Sequence, residues 1–357
     1  MKTPIIEGVT QAGLESYLTA RQYDALYWPN FFPVKDVDRL DGKTLIGSVG
    51  SRVAAHVISY DAKAPEAGRK ALALKYFDIP KIAQSRRKTE KEILEHKITK
   101  SLRGVNAVIE DYFNDLDFVF DSAQARMEWY TLQALSTTTL QLTTTNNPQG
   151  IVNETVIDFG MPAANKMCAS VIWSTGNVAT MDPITDFLAV VKAARAKGIT
   201  FSRMLMTSDT YDLMVPATLF IKYFANAALA GVTNPITLEN INRLLAGYRI
   251  PPISIIDTSV GIEAKSGVVT ATNPWSTTHI TFVPDIKCGD MFNGPIAEQI
   301  EPPDGVLLSM KGNVSMSIRR EYNPVSVLTK AECNVFPSWP SVERCFSLYT
   351  AHASVWA

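Results

Sequence analysis

The chain has 357 residues with an apolar share of 46%, enough to bury a sizeable core in one elaborated domain or in two. Lysine and arginine number 34 and aspartate and glutamate 35, for a formal net charge of −1. That balance excludes the broad basic surface of a dedicated nucleic-acid binder.

From the start of the chain, residues 1–8 lack the apolar core and cleavage site of a secretory signal, so no export is expected. A short helical pattern runs around residues 14–23, and the two prolines of Trp28-Pro-Asn-Phe-Phe-Pro33 predict extended backbone. This aromatic, proline-broken segment must lie on its own domain or on a neighbour. Residues 52–60 and 71–79 predict the strands of a long hairpin, joined by a polar turn containing Pro65 and Gly68. A lone hairpin exposes its edges and wants a partner. Thr89-Glu-Lys-Glu92 has capping-box form and opens a helix that breaks near Gly104. A second helix follows over residues 105–135. Its apolar residues recur at helical spacing, among them Tyr112, Leu116, Val119, Phe120, Ala123, Met127, Tyr130 and Leu135. Asp111, Asp115 and Glu128 fall among its polar positions. At about 1.5 Å per residue it makes a rod of roughly 45 Å, the spine of a domain.

Residues 137–162 predict a hairpin around the polar turn 146–150. Strand and helix signals then alternate, implying sheet between helices over residues 165–260. A strand is expected at 171–173, followed by a helix with Asp182 as N-cap and Pro183 at its first position, running to Gly198. A strand at 203–206, a helix capped by Ser208, a helix over 237–245 ended by Gly247 and a strand at 253–256 complete the series. Residues 213–232 approach the length of a membrane span, but Pro216, Lys222 and Asn226 make the segment a buried helix, and no membrane is implied. Next come a hairpin around Ser266-Gly267, a strand at 278–283 and apolar stretches at 306–308 and 314–318. Final strands at 325–328 and 344–349 are separated by Pro337 and Pro340.

Chemistry-bearing patterns are scarce. His56, His96, His279 and His352 form no metal-type pair, and neither a GxSxG elbow, a phosphate loop nor a GxGxxG fingerprint occurs. Gly47-Ser-Val-Gly-Ser51 resembles a glycine-rich loop but lacks the lysine and precedes a strand. The carboxylate pairs Asp182/Asp186, Asp285/Asp290 and Asp115/Asp117 are candidates for metal or acid-base work, the first also explained by the helix dipole. The cysteines, Cys168, Cys288, Cys333 and Cys345, form no CxxC and read as buried, reduced thiols. Basic residues cluster at Lys81 and residues 85–91 and at Arg319-Arg320, where salt bridges within the chain compete with contacts to a neighbouring subunit or to DNA phosphate. The expectation is therefore no catalytic, cofactor-binding or metal site.

Several segments carry a family resemblance. The run from Leu45-Ile-Gly-Ser-Val-Gly-Ser-Arg-Val-Ala-Ala-His to Ala64-Pro65, then Phe77-Asp-Ile-Pro-Lys-Ile82, resembles the lambda-type major capsid protein E family of tailed bacteriophages. Arg126-Met-Glu128 leading to Ala134-Leu135 looks like that family's Arg-x-Glu-x-x-x-x-x-Ala-Leu signature, although Ser136-Thr137 stand where a glycine is expected. Trp173 followed by Asp182-Pro-Ile-Thr-Asp186, and Phe292-Asn-Gly-Pro295, are similar to later family segments.

The resemblance implies an α+β Hong Kong 97-type capsid fold. Its parts would be an N-terminal arm (1–45), an extended β-hairpin loop (46–88), a peripheral domain with the spine helix (89–160), an axial domain (161–319) and a C-terminal return to the peripheral domain (320–357). It implies a non-enzymatic major capsid protein without cofactors, self-assembling into pentamers and hexamers of an icosahedral virion shell in the bacterial host cytoplasm. Its partners would be portal, scaffolding and decoration proteins and, non-specifically, packaged double-stranded DNA. An encapsulin-like compartment and a hydrolase built from scattered carboxylates are the alternatives.

Overall fold

The computed structural model describes residues 10–21, 25–46, 73–95, 105–152, 156–228 and 236–356. The expected strand at 52–60 with its turn, and the helix break near Gly104, lie outside them. The chain forms two units, one from residues 76–130 and 290–338 with the N-terminal segment, the other from residues 131–289 and 339–357.

The frame of the first unit is the helix Val105–Thr137, whose last turns belong to the second. Its apolar stripe is inside as its spacing predicts: Leu116, Val119, Ala123 and Met127 are fully buried. Asp115 and Glu128, read as polar positions, are buried too. A mixed sheet accompanies it, in the order Val34–Asp36, Asp290–Gly294, Val325–Ser338, Val314–Tyr322, Val306–Lys311, with Lys81–Lys88 also paired to Val325–Ser338. The pairing of Val34–Asp36 with Asp290–Gly294 is parallel and the rest are antiparallel.

Two expectations change here. The strand Val325–Ser338 runs through Pro337, where a break is predicted. The ladder to Val314–Tyr322 ends at Glu332, so Pro337 lies where no N–H is needed on that edge. Trp28–Phe31 is a short helix and not extended backbone, with Pro29 in its first turn, where a missing N–H costs nothing. The predicted return strand is present as Ala73–Asp78, and its described partner is Asp41–Ile46.

The second unit holds a five-stranded sheet in the order Lys166–Cys168, Phe346–Tyr349, His279–Val283, Arg203–Met206, Ile253–Ile255. The helices Pro183–Ala196, Ser208–Met214, Thr218–Ala228 and Leu238–Gly247 complete it, and Phe187, Met204, Phe220, Ile241, Phe282 and Phe346 form a continuous apolar core. Asp182 caps its helix as predicted, accepting from the Thr185 N–H at 3.2 Å. Several local readings shift. Thr207 and not Ser208 caps the next helix: the Thr207 hydroxyl accepts from the Thr210 N–H (3.4 Å), while Ser208 gives both its N–H and its hydroxyl to Asp257. After Gly247 the left-handed position is taken by Arg249 (φ 60°). Residues 171–173 are not a strand; the pairing falls to Lys166–Cys168. The 137–162 hairpin shrinks to Thr139–Leu140 against Ile157–Asp158, since Asn146 side-chain bonds to Thr143 N and Gln141 O turn the chain early.

The unit boundaries differ from the expected ones in three places. Residues 131–160 and 339–357 group with the second unit, and residues 290–319 with the first. The reason is pairing: Phe346–Tyr349 bonds to His279–Val283, whereas Asp290–Gly294 and Val314–Tyr322 bond to the long strand of the first unit.

Candidate functional site

In the first unit one face of the spine helix gathers the N-terminal segment. Phe113, Asp117, Gln124 and Glu128 recur at spacings of four and seven, so they share a face. The Tyr17 ring stacks on Phe113 at 4.1 Å, and its hydroxyl donates to Asp117 (2.7 Å), which also pairs with Arg21 (3.1 Å). The Trp28 indole donates to Gln124 (3.0 Å), and the backbone N–H groups of Tyr27 and Trp28 donate to the two Glu128 oxygens at 3.1 and 2.8 Å. The Lys311 ammonium donates to the Arg21 carbonyl (2.7 Å) and to the Leu18 carbonyl, at the negative end of the helix Gln11–Ala20. Of the two supports the sequence leaves open for this segment, its own unit supplies the one for these residues.

Glu128 is 1% exposed, and burial pushes its carboxyl above the ordinary range despite the two N–H donors. It is the glutamate of the Arg126-Met-Glu128 signature. Within that signature Arg126 lies over the Trp129 ring at 5.4 Å, while Ala134 and Leu135 are fully buried. The position lacking the expected glycine is resolved one residue later: Thr138 adopts φ 61°, a strained conformation for a β-branched residue.

The basic cluster is paired within the chain. Lys81 meets Glu332 at 2.5 Å, Arg86 meets Asp115 at 3.3 Å, Arg87 meets Glu321 at 2.8 Å, and Lys88 sits between Asp111 (2.5 Å) and Asp115 (2.9 Å). Arg86 also lies over the Phe118 ring. Lys330 bridges Glu298 and Glu332. Thr89 and Glu92 form the predicted box in altered form, Glu92 accepting from both the N–H and the hydroxyl of Thr89.

The remaining candidates stay apart. Asp186 is buried and accepts from the Ser170 N–H (2.8 Å) and the Trp173 indole (2.9 Å), an anchoring role that joins two family-like segments. Burial raises its carboxyl, and those donors lower it less. Asp285 pairs with Arg344 and Asp290 with Lys35. His279 packs on Tyr349 and Trp356, and His352 accepts from the N–H groups of Ser354 and Val355; His56 and His96 lie outside the described residues. Among the described residues no group of three His, Cys, Asp or Glu could hold a metal, and no helix is long and apolar enough to cross a membrane. At the late Gly-Pro turn, Gly294 receives the Leu40 side chain, which a Cβ would meet at 2.7 Å, and Pro295 accepts from Asn334.

Residues 47–348 match the model of the phage major capsid protein E family. The chain belongs to that family. As a phage major capsid protein it is a shell-forming subunit and a virion component, in a family of structural proteins. The fold agrees. A protein assigned as the capsid protein of a prophage in Escherichia coli CFT073 superposes with a TM-score of 0.55 at 13% identity, over 96% of this chain and 99% of that one. A phage-related protein from Bordetella bronchiseptica RB50 gives 0.49 at 12% identity, over 98% and 99%. The capsid of cyanophage A-1(L) gives 0.44 at 10%, over 89% of each. None of the curated proteins compared matches the chain. On the first of these superpositions, the capsid fold expected from the sequence is the one observed.

Proposed function

We propose that this capsid protein assembles as pentamers and hexamers into an icosahedral shell around double-stranded phage DNA, inside the host cytoplasm. The family match over residues 47–348 carries the reading. In the shell, the unit with the spine helix acts as the peripheral domain and the unit with the five-stranded sheet as the axial domain. Residues 46–88 supply the extended loop, whose Lys81–Lys88 end is held in the sheet of its own unit, and residues 1–45 the N-terminal arm. The internal pairing of the basic strand supports a weak, non-specific contact with DNA, which suits a container that must not condense onto its contents. Portal, scaffolding and decoration proteins complete the set of partners.

Electron microscopy of the purified chain under assembly conditions tests this. Shells or capsomers are expected, and a persistent monodisperse monomer under every condition rejects it. Co-purifying protein cargo in place of DNA would favour an encapsulin-like compartment instead.

A further inference from the structure

Among the described residues, two open sheet edges are closed by side chains of the chain itself. On the edge strand Val306–Lys311 the Gln11 side-chain amide donates to the Leu308 carbonyl, and Lys311 reaches back to the helix Gln11–Ala20. On the edge strand Ile253–Ile255 the Asn242 side chain accepts from the Ile253 N–H (2.8 Å) and donates to the Ile253 carbonyl (3.2 Å), as a neighbouring strand would.

The ribbon of Val260–Glu263 with Val269–Thr272 is built differently. Among the described residues its two strands pair only with each other. Val260 and Ile262 are buried, whereas all four residues of Val269–Thr272 are exposed. The Ala264 N–H donates to the Val268 carbonyl (2.9 Å), which fixes the alternation of the ladder: Ile262 with Thr270 and Val260 with Thr272 are the bonded pairs. The N–H and carbonyl groups of Val269 and Ala271 therefore face away from the ribbon, and such an edge is a template for another strand. From Ser266 to Thr278 the chain carries no charged side chain. Gln149 donates to the Glu263 and Ala264 carbonyls, which brings the loop of the exposed Ile151 and Val152 to the end of the ribbon that carries the exposed Val268 and Val269.

We propose that the edge strand Val269–Thr272 pairs with a strand of a second copy of this chain, with Ile151, Val152, Val268 and Val269 as the apolar margin of the contact. The choice of partner rests on the shell reading, in which every subunit is surrounded by its own copies. Charge agrees with it: like charges facing one another across a ladder repel, and an uncharged edge meets identical chains without that cost. The side-chain amides on the other two edges restrict strand addition there and leave it free here.

Amide hydrogen exchange of the full-length chain, below and above the concentration at which it associates, tests this. In the associated form the Val269 and Ala271 amides should exchange roughly tenfold more slowly or better, with a smaller change at Thr270 and Thr272, already bonded within the ribbon. Ala271→Pro removes one outward N–H and no bond of the ribbon. It should weaken association roughly tenfold in sedimentation velocity, while the free subunit melts within about 2 °C of wild type. Wild-type association that leaves both amides at the free rate overturns the proposal and leaves the shell reading standing. Association of Ala271→Pro and Ala271→Lys at wild-type strength does the same. A chain that stays monomeric at every concentration overturns both. Where the proline variant folds poorly, exchange in the wild-type chain decides.

Discussion

In the unit built on residues 76–130 and 290–338, carboxylates are buried and answered by cations or backbone donors: Glu332 between Lys330 and Lys81, Asp115 beside Lys88 and Arg86, Glu128 under the N–H groups of Tyr27 and Trp28. The unit built on residues 131–289 and 339–357 instead interlocks aromatic rings, Phe187, Phe201 and Phe346 around Phe282 and its neighbours, with Asp186 as a buried anchor. The first kind of support is directional and depends on protonation. The second is proportional to area and indifferent to pH. Subunits of one shell therefore carry two stabilities that respond to different solvents.

Substitutions can break this contrast. Phe282→Ala, at a fully buried ring, should cost about 3–5 kcal/mol in urea unfolding followed by circular dichroism; a loss under about 1 kcal/mol would mean the aromatic core is not the support of its unit. Glu332→Gln leaves Lys330 with Glu298 alone and Lys81 largely solvated, and should cost about 2 kcal/mol, less than a fully buried pair. Glu128→Gln keeps the shape but offers one acceptor oxygen for two N–H groups. About 1–2 kcal/mol should be lost, with faster amide hydrogen exchange at residues 27–32 than in the spine helix.

Acid sharpens the comparison further. Burial pushes the Glu332 carboxyl upward, and hydrogen bonds from Lys330 and Lys81 more than offset it, so it lies below the ordinary 4.5. Its stabilisation is present above pH 4.5 and is lost as pH falls through the folded value. Glu128 is raised by burial, so its contribution has the opposite sign: it is full below 4.5 and lost as pH rises through the folded value. Urea midpoints measured against pH should show a flatter acid limb for Glu332→Gln and a steeper one for Glu128→Gln; a shift of both limbs in one direction contradicts this assignment. The smallest effect belongs to Arg243→Ala, whose partner Glu239 is largely exposed: less than about 0.5 kcal/mol is expected by thermal unfolding.

Periodicity and caps made much of this fold legible. The spine helix, the Asp182-Pro183 helix start and the hairpin turning at Gly267 (φ 82°) are all local signals, written in residues that meet their neighbours in sequence. What could not be read were partners supplied from afar. Glu128 scans as a solvated helix position, and only the return of residues 27 and 28 makes it a buried acceptor. Pro337 scans as a breaker until the missing neighbour on one edge is known. The boundary at 319 failed to mark a unit for the same reason, since strand pairing across the whole chain decides membership. A signal for Glu128 did exist: it is the one acid in the Arg-x-Glu signature, carried without an apparent reason until the fold supplied one.

The strand Val325–Ser338 bonds to three segments made much earlier in the chain or just before it: Lys81–Lys88, Asp290–Gly294 and Val314–Tyr322. During synthesis the chain emerges from its N-terminus, so Lys81–Lys88 has no ladder until residues 325–338 have been made. Contacts of such long sequence separation form slowly, and an unpaired strand edge is exposed in the meantime. A nascent subunit thus finishes this sheet only after residues 325–338 have been made, which delays competence to join a growing particle until then.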